Sequence, residues 1–139
     1  RGPLVKLPHI VNGLALIVAV DFDGTIYAGP FIAADDVSGD PMPGAIAWLK
    51  SELARGHTLI IHTCRLTSNH EGCTFPIEAH RDPLRTRDII RAWLVKHGLT
   101  VDEMQRIQFW LYLGKPFAHE YLDDKAIRFT GTYPQRETT

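Results

Sequence analysis

The pattern of hydrophobic and polar positions along the chain contains four short runs that are typical of β-strands. Longer amphipathic or polar stretches separate them. The run Leu14–Val20 (LALIVAV) is continuously apolar and rich in valine, which is typical of a strand buried on both faces. His57–Thr63 (HTLIIHT) has the same character and predicts a second buried strand. Arg106–Leu113 and His119–Asp124 predict two further strands, joined by the segment GKPFA.

Two amphipathic segments predict helices between these strands. In residues 43–57, Ile46, Leu49 and Leu53 fall on one helical face, with a proline near the start and a glycine near the end. Residues 83–98 carry a second apolar stripe formed by Ile89, Ile90, Trp93 and Leu94. The alternation of strands and helices predicts an α/β fold, a Rossmann-like three-layer α/β/α sandwich with a mainly parallel sheet. We expect one domain over residues 1–139, with 130–139 as a tail.

Composition narrows the class of protein without identifying it. The 139 residues carry a formal net charge of −1 at pH 7, which gives no global reason to bind nucleic acid or a membrane surface. The two cysteines do not form a secreted disulfide framework, and no apolar run approaches the roughly 20 residues of a membrane span. We therefore expect a soluble cytoplasmic protein without a membrane partner. Nucleic acid is not indicated as a partner, and an oligomer is compatible with the sequence.

Acidic residues follow two of the predicted strands. Asp21 and Asp23 come directly after the first strand, and Asp123 and Asp124 end the last one. Ligands of open parallel sheets bind outside the carboxyl ends of the strands, so these side chains should share one crevice. Four carboxylates there would repel each other without a cation, and a hard cation with oxygen ligands, most simply Mg²⁺, removes the repulsion.

Other residues at the same ends suit an anionic substrate. Thr63 closes the second strand and Lys115 precedes the last, so a hydroxyl and an ammonium are available to a phosphoryl group. Asp21 and Asp23 leave the chain on the same face, which lets one act as nucleophile and the other as general acid and base. Gly24 allows the chain to turn sharply beside them. The set predicts phosphoryl transfer.

The same residues resemble the motifs of the haloacid dehalogenase superfamily of phosphohydrolases. DFDGTI is similar to its first motif, D-x-D-G-T, and the resemblance implies that Asp21 is the nucleophile and Asp23 the general acid and base. Thr63 matches the second motif and Lys115 the third, which contact the transferring phosphoryl group. Asp123 and Asp124 match the acidic pair that helps to hold Mg²⁺, together with Asp21 and the backbone carbonyl of Asp23. The resemblance thus implies a Mg²⁺-dependent phosphatase.

The chain departs from most of that superfamily in two ways. Lys115 lies only eight positions before Asp123, as in a compact variant in which a K-P pair runs directly into the last strand. No segment is long enough for a large cap domain, although residues 65–83 are long enough for a lid loop. We therefore expect an open site that admits a small phosphomonoester or a larger phosphorylated molecule. Arg65 and the basic run Arg81–Arg91 are the candidate grips for the rest of the substrate.

Several alternatives remain open on sequence alone. The acidic residues at the strand ends could belong to a non-catalytic module that binds phosphate or a metal ion. Alternatively, the phosphatase could act on nucleic-acid ends. The basic run could be a solvated helix face paired with Asp82 and Asp88. A zinc site is a further alternative, although its cysteine and histidine spacing matches no common zinc motif. Its candidate ligands are Cys64, His70, Cys73 and His80.

Overall fold

A computed structural model describes residues 15–67, 82–112 and 114–136. Within them the strands are β1 (Ile17–Val20), β2 (Thr58–Ile61), β3 (Ile107–Phe109) and β4 (Glu120–Leu122). The helices are α1 (Ala45–Ala54), α2 (Cys64–Thr67), α3 (Pro83–Lys96) and α4 (Val101–Gln105). All four predicted strands and both predicted helices are therefore present, each shorter than the pattern suggested. No helix in the described ranges is long and apolar enough to cross a membrane.

The strands form one parallel sheet in the order β3-β2-β1-β4. The α/β class and the parallel sheet predicted from the sequence are thus confirmed. This order matches the first four strands of the doubly wound Rossmann arrangement, in which the chain moves outward from β1 in one direction and then returns to its other side. The crevice between the carboxyl ends of β1 and β4 is the switch point where such sheets bind ligands.

The hydrophobic core lies between the sheet and its two long helices. Val18 and Val20 share one face with their register partners Leu59 and Ile61, because side chains alternate along a strand. The apolar stripes of α1 and α3 complete this cluster with Leu49, Leu53, Ile90, Trp93 and Leu94. Ala19 and Ile60 point to the opposite face and are also buried, so β1 and β2 are covered on both sides as predicted.

Helix α3 is fixed at its start by a side chain. The Asp82 carboxylate accepts hydrogen bonds from the backbone N–H groups of Leu84 and Arg85, and Pro83 occupies the first turn, where its missing N–H costs nothing. The predicted buried stripe is wrong at one position: Thr86 is buried, whereas Ile89 is only half-buried. Thr86 lies four positions before Ile90 and therefore on its face of the helix.

Two short helices were not predicted. The sequence predicts a candidate lid loop over residues 65–83, but Cys64–Thr67 form α2, in which Arg65 and Leu66 are fully buried. Helix α4 is set by a capping box: the Thr100 hydroxyl accepts from the Glu103 N–H, and the Glu103 carboxylate accepts from the Thr100 N–H.

No large cap domain is present in the described chain. Residues 21–44, between β1 and α1, contain turns and isolated bridges only. Of the candidate lid loop 65–83, residues 65–67 belong to α2, and 68–81 lie outside the described residues, as do His70, Cys73, His80 and Arg81. The described part of the tail, 130–136, is exposed and has no regular secondary structure.

Candidate functional site

Three carboxylates meet at the switch point between β1 and β4. Val20 pairs with Leu122 in the parallel register, so the residues that follow these strands reach the same edge of the sheet. The Asp21 N–H donates a hydrogen bond of 2.9 Å to the Leu122 carbonyl, which fixes the two strand ends together. Carboxylate oxygens of Asp21, Asp123 and Asp124 all lie within 4.8 Å of one another. Three residues predicted to share a crevice therefore do so.

The Asp21 carboxyl has an unusual electrostatic environment. Its pKa is raised from 3.8 to about 7, first by burial and then by the negative charge of Asp123. Asp124 raises this pKa further, by hydrogen bonding and by its charge, while the backbone N–H of Phe22 lowers it. Ionising all of these carboxylates at once is therefore energetically unfavourable. A cation would remove the repulsion, and oxygen ligands at this spacing suit a hard divalent ion.

A tight turn after β1 places Asp23 at the same crevice. The N–H groups of Ile26 and Tyr27 both donate to the Phe22 carbonyl, and the Gly24 N–H donates to the Tyr27 carbonyl. Gly24 has a φ of +78°, and a Cβ built on it would overlap the Asp124 carboxylate. Both the turn and the approach of the acidic residue therefore require glycine here. Gly24 contributes space and backbone rather than a side chain.

An open pocket of about 470 Å³ lies over these residues. Four aspartates contribute to its lining, together with an aromatic residue, a cysteine and a lysine. It is lined by Asp21, Asp23, Gly24, Phe31, Cys64, Asp123, Asp124 and Lys125. All four predicted metal-site aspartates thus line one pocket, and its size suits a phosphoryl group with part of its ester.

Arg65 does not lie where the sequence suggested. It was predicted to bind substrate, but its side chain is fully buried and is bonded to Asp23 and to backbone carbonyls. A guanidinium in this position cannot reach a ligand in the pocket. The substrate-binding prediction for Arg65 is therefore wrong for this structure. Arg65 lies in the first turn of α2, and its side chain is buried in the protein rather than in the pocket lining.

Thr63 and Lys115 lie near the edge of the sheet formed by the carboxyl ends of the strands, where the sequence predicts the site. Neither is among the described residues that line the pocket. Thr63 is buried after β2, and its hydroxyl oxygen accepts a hydrogen bond of 3.2 Å from the Arg65 N–H. The Lys115 ammonium lies 4.0 Å from the centre of the Tyr121 ring. Burial lowers the pKa of His62 at the end of β2; Asp123 opposes this shift and Lys115 adds to it. Lys115 is thus close enough to this edge to influence it electrostatically.

Lys125 is a candidate site residue that the sequence analysis missed. It lines the pocket, its side chain is 85% exposed, and its Nζ lies 3.5 Å from Oδ2 of Asp124. An exposed lysine at a pocket mouth can turn toward an anionic ligand. The signal was its position directly after the acidic pair in LDDKA.

The basic run of α3 is occupied by ion pairs. Arg85 reaches Asp35 at 2.8 Å, and both Arg87 and Arg91 lie within 4 Å of Asp88. None of these three arginines lines the pocket described above. The geometry therefore favours the paired helix face over a substrate grip.

Comparison with known proteins supports the fold and adds no function. No family model matches the chain, and no curated protein matches it. The chain is similar to a solved structure of a conserved protein from Bacteroides thetaiotaomicron, with a TM-score of 0.51 and 22% sequence identity. The similarity covers 88% of this chain and 84% of that one. At this identity the likeness concerns the α/β fold alone.

Proposed function

We propose that this protein is a Mg²⁺-dependent phosphatase that hydrolyses phosphomonoesters through an aspartyl-phosphate intermediate on Asp21. The observation that carries the proposal is the meeting of Asp21, Asp123 and Asp124 within 4.8 Å at the switch point of the sheet. The pattern DFDGTI and its resemblance to the first haloacid dehalogenase motif add support.

The acidic cluster fits a Mg²⁺ ion. The ion prefers oxygen ligands and is held by a few carboxylates, with its other positions left to water and phosphate. The side chains of Asp21, Asp123 and Asp124 would hold it, together with the backbone carbonyl of Asp23. Burial and the negative charge of Asp123 raise the pKa of Asp21, and a cation beside these carboxylates would oppose that shift. When bound, Mg²⁺ supplies positive charge that favours ionised Asp21 and offsets the charge of the phosphoryl oxygens.

The protein's own residues account for both halves of the reaction. Asp21 attacks phosphorus with a carboxylate oxygen, and the bond from phosphorus to the ester oxygen breaks. Asp23 gives its proton to that oxygen, so that an alcohol leaves. Asp23 then takes a proton from a water molecule that attacks the aspartyl phosphate, which releases inorganic phosphate and restores Asp21. Asp23 lines the same pocket as Asp21, as this division of work requires.

The substrate must enter an open pocket. No large cap covers the site in the described residues, and a substrate bound there would itself exclude water from the pocket. Lys125 is the described ammonium on the pocket wall and is our candidate for contacting the phosphoryl oxygens. Phe31 offers an apolar surface to the ester group. Both small phosphomonoesters and larger phosphorylated molecules are compatible with such a site.

Turnover of p-nitrophenyl phosphate tests the proposal. We expect the purified protein to release p-nitrophenol with Mg²⁺ and to stop when EDTA is added. Asp21→Asn should abolish turnover, because the amide has nearly the same shape but is a poor nucleophile. A protein that binds Mg²⁺ without turning over this or any phosphorylated metabolite or oligonucleotide would be a binding module, and the proposal would be wrong.

A further inference from the structure

Arg65 is held on two sides at once, although its side chain is completely buried. On one side, its Nε lies 2.9 Å from Oδ2 of Asp23 and its Nη2 lies 2.7 Å from Oδ1. On the other, its Nη1 donates to three backbone carbonyls at 2.9 to 3.0 Å, those of Ala33, Ala34 and Asp36. One guanidinium therefore joins a site carboxylate to the segment of residues 31–36.

Aromatic rings enclose the same guanidinium. Its central carbon lies 4.7 Å from the ring centre of Phe31, 5.1 Å from that of Tyr27 and 5.4 Å from that of Phe22. These rings exclude water from Arg65, which strengthens its charged hydrogen bonds. Phe31 belongs to the 31–36 segment and also lines the pocket. Arg65 thus connects two parts of the pocket lining, Asp23 and the 31–36 segment, through contacts inside the protein.

Asp23 remains accessible from the other direction. Its side chain is 27% exposed, whereas that of Arg65 is not exposed at all, and Asp23 lines the pocket. The guanidinium therefore binds Asp23 from the protein side. Oδ1 accepts from both Nε and Nη2, so Asp23 keeps this contact when it carries on Oδ2 the proton that it gives to the leaving oxygen. A two-pronged contact of this kind sets the orientation of the carboxylate as well as its position.

We propose that Arg65 is a positioning residue that aims Asp23 at the leaving oxygen and couples its orientation to the seating of the 31–36 segment. The inference rests on the proposed function, in which Asp23 is the general acid and base. Lysine cannot do the same work, because its ammonium is a point charge that cannot form the planar double contact and also reach the three carbonyls. Arg65→Lys keeps the positive charge and removes the geometry.

The leaving group distinguishes positioning from a purely structural role. An alkyl alcohol needs a proton to leave, whereas p-nitrophenolate leaves readily without one, so only the alkyl ester depends strongly on Asp23. We therefore compare kcat/KM, which reports the steps through transfer to Asp21, for an alkyl phosphate and for p-nitrophenyl phosphate. Arg65→Lys should lose roughly 100-fold on the alkyl ester, within the usual range for general acid catalysis, and less than about tenfold on the aryl ester. Asp23→Asn should show the same inequality.

Arg85→Lys is the matched control. Arg85 also contacts the 31–36 segment, through Asp35 at 2.8 Å, but it is exposed and has no contact with Asp23. It should leave both kcat/KM values unchanged. Equal losses on the two esters in folded Arg65→Lys would show a structural role and overturn the inference. An inactive wild-type protein would refute the proposed function instead.

Amide hydrogen exchange tests the coupling between Asp23 and the 31–36 segment without measuring enzyme activity. It uses an Asp23 variant, so it remains possible if Arg65→Lys does not fold. In Asp23→Asn the charged contact to Arg65 is lost, which should loosen the segment that Arg65 holds. The amides of Asp36 and Ser38, which donate to the Ala33 carbonyl and the Asp36 carboxylate, should then exchange faster than in the wild type. Unchanged protection of these amides would contradict the coupling.

Discussion

Replacing Asp21 by Asn should stabilise the folded protein at pH 8 when EDTA is present. The same replacement should abolish the activity measured with Mg²⁺. The pKa of Asp21 is raised from 3.8 to about 7, so the folded state holds this proton more tightly than the unfolded chain does. The stabilising effect of the bound proton is complete below about pH 4 and is lost as the pH rises to about 7. Above that pH the folded protein carries an ionised Asp21 in an unfavourable place, and a neutral amide avoids this cost.

The size of the gain follows from the shift. At about 1.4 kcal/mol for each pH unit, the shift corresponds to roughly 4 kcal/mol. The side chain is only partly buried, and solvent screens part of this interaction, so we expect about 2 kcal/mol at pH 8. At pH 5 most folded molecules already carry the proton, and the gain should be smaller by about 1 kcal/mol.

Urea unfolding in EDTA at the two pH values measures this gain as a change in the free energy of unfolding. Asp40→Asn, at an exposed loop position, is the control and should change the stability little. Adding Mg²⁺ should stabilise the wild type more than Asp21→Asn, because the variant lacks one charged ligand. A variant less stable than the wild type at pH 8, or a gain independent of pH, would refute the electrostatic reasoning.

Three further predictions concern the metal, the substrate and the core. Asp123→Ala should raise the Mg²⁺ concentration for half-maximal activity more than Asp124→Ala does, because Asp123 directly follows the strand. If both variants need the same Mg²⁺ concentration as the wild type, neither residue is a ligand. Lys125→Met should raise KM for p-nitrophenyl phosphate several-fold and Lys115→Met should do so less, since only Lys125 lines the pocket; steady-state kinetics would show the reverse order if the sequence assignment of Lys115 is right. Leu49→Ala should cost about 2–5 kcal/mol in urea unfolding, because Leu49 is fully buried, and a loss below about 1 kcal/mol would contradict the core described.

The sequence was informative about the strands and the acidic cluster for a simple physical reason. Buried parallel strands need continuous apolar runs, and the rule that ligands bind at their carboxyl ends converts position in the sequence into position in space. Asp21, Asp123 and Asp124 could therefore be placed together without a structure. The capping box of α4 was also readable, since Thr100 and Glu103 have its spacing, but the helix is too short to show an apolar stripe.

Long charged side chains could not be placed in this way. Arg65 and Lys115 each have a flexible stem that reaches several ångströms in either direction, and arginine is rarely fully buried, so a surface role was the natural expectation for Arg65. Its destination depends on three carbonyls and three aromatic rings contributed by residues 22–36, which come together only in the fold. The contact of Lys115 with Tyr121 likewise depends on how the GKPFA segment turns.

The central claim is that Asp21 becomes phosphorylated during turnover. It can be tested most directly by mixing the protein with p-nitrophenyl phosphate and Mg²⁺, quenching with acid within one turnover, and locating the phosphoryl group by peptide mass spectrometry. We predict a phosphoryl group on Asp21 that is absent with EDTA and absent in Asp21→Asn. Turnover with no phosphoryl group on Asp21, or with the group on another residue, would contradict this account.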